Sequence, residues 1–102
     1  MKSYKLKVTP EALQEIQKAI DYYNDCRKGL GKAFYLDLQK QFTQIKKNPF
    51  SRSVRYDDVR FAMLDRFPYG AHFNINETSR TICIQAVLSH FRDPDTHWKK
   101  RE

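Results

Sequence analysis

The side chains that could do chemistry here are few: three histidines, His72, His90 and His97, and the arginines Arg60, Arg66 and Arg92 of the second half of the chain. No two histidines have the spacing of a zinc site, and Cys26 and Cys83 lie far apart with no C-x-x-C pair. There is no glycine-rich phosphate loop. A serine-histidine-aspartate arrangement built on Ser89 and His90 fails locally, because neighbours in a strand point to opposite faces. Neither a metal nor a cofactor is therefore expected. What remains is a cationic surface: Arg60 and Arg66 flank a central strand, His72 and Asn74 project from the polar side of the next, and Arg92 follows the last. Such a surface suits RNA phosphates or an acidic protein segment. The plainer alternative is that Arg60 and Arg66 form surface ion pairs with Asp57, Asp58 or Asp65.

The elements that must position these groups are legible from periodicity. Tyr4, Leu6 and Val8 alternate with Lys5 and Lys7, which predicts a half-buried strand over 3–8 with lysines guarding an edge. Thr9-Pro10-Glu11 combines a hydroxyl cap, proline at the first helical position and an acid near the positive end of the dipole, so a helix should begin at Pro10. Its apolar stripe is Leu13, Ile16, Ile20 and Tyr23, and it should stop before Lys28-Gly29, where glycine can take a left-handed cap. A second helix buries Phe34, Leu38, Phe42 and Ile45, exposes Asp37, Gln39, Lys40, Gln44 and Lys46, and ends at Asn48-Pro49. Those exposed residues include no arginine to reach base edges, which argues against a DNA-reading helix-turn-helix.

After Pro49 the period becomes two. Strands are expected near 52–56, 59–65, 69–76 and 81–89, with turns at Asp57-Asp58 and at Asn76-Glu77-Thr78-Ser79. In the third of these Ala71, Phe73 and Ile75 should pack while His72, Asn74 and Asn76 face water. In the fourth Ile82, Ile84, Ala86 and Leu88 should share the core face. Short connections favour antiparallel neighbours. The expected fold class is α+β, a single domain over 1–102 in which a helix hairpin covers one face of a twisted antiparallel sheet.

Charge is distributed unevenly. Nineteen Lys and Arg against twelve Asp and Glu leave +7, which favours an acidic or polyanionic partner. Nine of the eleven lysines precede Pro49, whereas seven of the eight arginines follow it. Arginine's planar fork suits phosphate and carboxylate recognition, so the second half carries the recognition surface. No stretch has the length of a membrane span or the apolar core of a signal peptide, and the cysteine usage agrees with a cytoplasmic protein.

The order Val59-Arg60, Leu64, Arg66-Phe67-Pro68-Tyr69, a strand, a turn, Ala86-Val87-Leu88 and then Arg92-Asp93-Pro94 with Trp98 resembles the RelE/ParE family of toxins from type II toxin-antitoxin systems, over nearly the whole chain. The resemblance implies a growth-arresting, plasmid-stabilising toxin neutralised by a cognate antitoxin, in a homodimer or a heterotetramer with that antitoxin. Its RelE branch cuts messenger RNA on the ribosome, chemistry that needs a base, an acid and cations around the phosphate. The candidates for those roles are His72, His90, Arg60 and Arg92. Two positions depart from the family pattern: Gly70 stands where RNA-cutting relatives commonly place an arginine, and Ser89 stands directly after Ala86-Val87-Leu88, where relatives with the Phe-Pro-Tyr run usually carry a histidine, with His90 one residue later. For His90 to serve instead, the strand must bend or bulge before it. The ParE branch inhibits DNA gyrase by binding and needs no catalytic residue, which is the preferred expectation, with Arg60, Arg66, His72, His90 and Arg92 as target contacts. A ribosome-dependent messenger RNA endonuclease is the alternative. Outside the family stands a small basic RNA-binding module, against which counts the absence of clustered exposed aromatics on the strands.

Overall fold

The computed structural model describes residues 4–89. Strand β1 (Lys5–Val8) leads into helices α1 (Pro10–Cys26) and α2 (Leu30–Lys47), a short 3-10 turn at Pro49–Ser51, and strands β2 (Val54–Tyr56), β3 (Val59–Met63), β4 (Tyr69–Asn76) and β5 (Thr81–Ser89). The sheet order is β1-β5-β4-β3-β2. β2 to β5 form the expected antiparallel meander, and β1 lies parallel to β5, with Lys5 opposite Thr81 and Val8 opposite Ile84. The parallel pairing needs a long crossover, and the helix hairpin supplies it.

Local chemistry sets the element ends. The Thr9 hydroxyl accepts from the Ala12 N–H at 3.1 Å and donates to the Gln85 carbonyl at 3.3 Å, so one side chain caps α1 and fastens it to β5. Gly29 adopts φ +86° in the turn between the helices, a conformation that glycine takes without a side-chain penalty.

The hairpin packs on one face of the sheet. α2 buries Phe34, Leu38, Phe42 and Ile45 as its pattern predicts. α1 is rotated relative to expectation: Ala12, Ile16 and Ala19 are buried, Ile20 and Tyr23 pack partly, and Leu13 is 55% exposed. Two alanines let the helix sit close to the sheet, and Leu13 then falls at the margin. Asp37, expected on the wet side of α2, is only 5% exposed. Gln41 is buried beside it in sequence phase.

A bulge in β5 changes the second half of that strand. His72 pairs with Ala86 but Phe73 pairs with Ile84, so Gln85 is the extra residue. Up to Ile84 the alternation runs as expected; beyond Gln85 it inverts. Val87 joins Ile82 and Ile84 in the main core, while Ala86 and Leu88 turn to the opposite face and pack with Phe61. α1 covers backbone groups around the bulge, since Thr9 takes the Gln85 carbonyl and a Glu15 carboxylate oxygen accepts the Val87 N–H at 2.9 Å.

Thr9→Val removes both hydroxyl bonds with little change in shape. It should lower unfolding free energy by about 1–2 kcal/mol in urea titrations, with Thr9→Ser close to wild type.

Candidate functional site

The sheet face away from the helices, expected to be polar, is filled. Phe61 lies over Gly70 so closely that a Cβ at Gly70 would overlap its ring. The same ring meets His72 edge-on at 4.8 Å between centroids, and the Arg55 guanidinium covers it at 4.7 Å. Ala86 and Leu88 close the cluster, and Tyr56 packs against it. His72 is therefore 1% exposed instead of projecting into solvent. Asn74 does lie on the polar side, where its side-chain oxygen accepts from the Gln85 amide at 3.0 Å.

The arginines separate into different environments. Arg60 pairs with Phe73 across the β3–β4 ladder, so its side chain starts on the helix-covered face and not on the expected cationic surface shared with His72 and Asn74. It donates to the Arg52 carbonyl and lies 5.1 Å from the centroid of Phe50. Arg52 in turn reaches the Gln41 and Gln44 side chains of α2 at 3.1 and 3.3 Å. Arg66 is exposed in the β3–β4 connection. Neither Arg60 nor Arg66 forms an ion pair with Asp57, Asp58 or Asp65. Asp65 pairs with Lys40 at 2.9 Å. The hydrogen bond from Lys40, with its charge, holds the Asp65 carboxyl below its ordinary value and raises the Lys40 ammonium. The carboxyl's stabilisation is thus present above its unfolded pKa and fades as pH falls through the folded one, and exposure keeps it small. His90 and Arg92 lie outside the described residues.

The β3–β4 connection is anchored throughout. Leu64 N–H bonds the Tyr69 carbonyl at 2.9 Å, Tyr69 N–H bonds the Phe67 carbonyl at 2.8 Å, and Asp37 accepts from the Asp65 and Arg66 N–H groups at 3.3 and 2.8 Å. Phe67 and Tyr69 enter the core, where Tyr23, Phe34, Phe67 and Tyr69 meet with ring centroids 4.8–6.0 Å apart. The Phe67-Pro68-Tyr69 run is thus a core anchor as well as a strand break. Asp37 carried a sequence signal that alternation of charge obscured: positions 34, 37, 38, 41, 42 and 45 form one helical stripe.

A groove of about 330 Å³ opens between β1 and the helices, lined by Leu6, Val8, Leu13, Tyr35, Phe42 and Lys46 among others. The exposed Leu13 and Tyr35 belong to it. Among the described residues there is no cluster of histidine, cysteine or carboxylates able to hold a metal, and no helix long and apolar enough to cross a membrane.

This architecture has known counterparts. The chain aligns with a chromosomal ParDE toxin-antitoxin system of P. aeruginosa at a TM-score of 0.73 and 20% identity, covering 84% of this chain and 95% of that one. A substituted E. coli toxin RelE in the free state aligns at 0.70 and 16% identity, covering 98% of both chains. The intact E. coli RelBE toxin-antitoxin complex aligns at 0.65 and 17% identity, over 84% of this chain and 95% of that one. No curated protein matches significantly. The family model for the ParE toxin of the type II toxin-antitoxin system parDE matches residues 6–94. The chain belongs to that family of toxins, with the RelE/ParE fold.

Gly70→Ala must displace Phe61 and should destabilise by about 1–3 kcal/mol. Phe61→Ala costs stability by itself, but in its background Gly70→Ala should cost much less; a double-mutant cycle in denaturant measures the coupling.

Proposed function

We propose that this toxin arrests growth by binding DNA gyrase, without catalysing a reaction on RNA. The observation that carries this reading is the filled outer face. Position 70 has no side chain, its space is taken by Phe61, and the imidazole of His72 lies sealed beneath the same ring. Cleavage requires a base and cations that reach a phosphate. A binding toxin requires an accessible surface, for which Arg66 and Arg92 are proposed as contacts. Arg60, engaged with the Arg52 carbonyl and the Phe50 ring, is assigned to hold the β2 edge.

The alternative is a ribosome-dependent messenger RNA endonuclease. Induction of the toxin without a partner separates the two. Gyrase inhibition should give DNA damage, with loss of supercoiling activity when purified toxin is added to gyrase. Rapid messenger cleavage with gyrase unaffected would overturn the preferred reading.

Neutralisation is assigned to an antitoxin segment that folds as an amphipathic helix in the groove between β1 and the helix hairpin. Leu13 is exposed, so Leu13→Glu should leave the fold intact while weakening antitoxin binding by about 1.5–3 kcal/mol, the loss expected for one buried leucine. Titration calorimetry measures the affinity. An acidic segment against a chain of charge +7 should also bind more weakly as salt rises.

A further inference from the structure

A carboxylate in the buried stripe of α2 is the costlier choice for packing between Phe34 and Leu38, where an apolar side chain would need no hydrogen bonds. Asp37 is 5% exposed, and its two oxygens accept from two consecutive backbone N–H groups, those of Asp65 and Arg66. The connection that receives them is closed by the Leu64–Tyr69 and Tyr69–Phe67 backbone bonds and pinned by the Phe67 ring among Tyr23 and Phe34. The charge of Asp65 is met by Lys40 at 2.9 Å. The Leu64 and Phe67 side chains and the Asp65 charge of this connection are thus engaged, whereas the Arg66 guanidinium is exposed and forms no ion pair with any described residue.

We infer that Asp37 is a positioning residue: from inside α2 it clamps the β3–β4 connection so that Arg66 is presented, already ordered, to an acidic group of the target protein. This rests on the reading above that Arg66 touches the target. A fixed backbone beneath a binding arginine reduces the ordering that association would otherwise require, and a donor pair locked by a carboxylate supplies that rigidity. An apolar residue at position 37 could fill the same volume but could not hold two amides.

Amide hydrogen exchange and growth arrest test this together. In the wild type the Arg66 amide should be protected although its side chain is exposed. In Asp37→Asn, protection at Asp65 and Arg66 should fall by about ten- to a hundredfold, the loss of a charge-assisted hydrogen bond, while amides of β4 and β5 keep theirs. Growth arrest on induction should weaken in Asp37→Asn as it does in Arg66→Ala, and the double variant should be no weaker than the worse single one. An unprotected Arg66 amide in the wild type overturns the clamp, and this measurement stands even if the variant does not fold. Full arrest by folded Asp37→Asn beside a loss in Arg66→Ala overturns the positioning role alone. Full arrest by folded Arg66→Ala removes the target contact itself and with it the purpose assigned to Asp37.

Discussion

One inserted residue in β5 governs much of this molecule. A strand that alternates regularly from Ile82 would send Ala86 and Leu88 into the core and Val87 outward; with Gln85 bulged, the reverse occurs. The extra residue also leaves backbone groups outside the ladder, and buried backbone groups must find partners elsewhere. They find them in α1, through the Thr9 hydroxyl and the Glu15 carboxylate. The start of the first helix is thereby fixed to the last described strand, and β1, which precedes Thr9, is aligned parallel to β5.

The outer face follows from the same irregularity. Ala86 and Leu88 provide an apolar floor on the face away from the helices, and Phe61 spreads across it into the space that Gly70 leaves. His72 is enclosed as a consequence. This face is a second small core, capped by Arg55. Arg66 is exposed at the rim of the sheet, in the connection after β3, and on the helix side an apolar groove lies beside β1.

The two helices have unequal tasks. α1 contributes mostly small buried residues and a cap that serves two elements, while α2 carries the large side chains together with Asp37 and Gln41. Those two polar groups reach the segments on either side of the β2–β3 hairpin: Asp37 takes the amides that follow β3, and Gln41 receives Arg52 ahead of β2. The cost of burying them is offset at the Asp37 oxygens by two backbone N–H groups and at the Gln41 oxygen by Arg52, while the Gln41 amide nitrogen is buried without a hydrogen-bond partner among the described residues.

Periodicity and cap chemistry in the sequence were sufficient to place Thr9, Pro10, the Gly29 turn, the end of α2 before Pro49, and the full extents of β4 and β5, because each depends on interactions a few residues apart. The residue types also marked the arginine-rich second half of the chain and the resemblance that the family match bears out. Tertiary structure decided what those elements face. Leu13 and Asp37 exchange their expected environments because the rotation of a helix depends on what it packs against. Arg60 and Phe73 share a face because register, which alternation along one strand does not fix, sets them opposite each other. The bulge at Gln85 and the sealing of His72 by Phe61 both arise from contacts between residues distant in sequence, and no local pattern of polar and apolar residues encodes them.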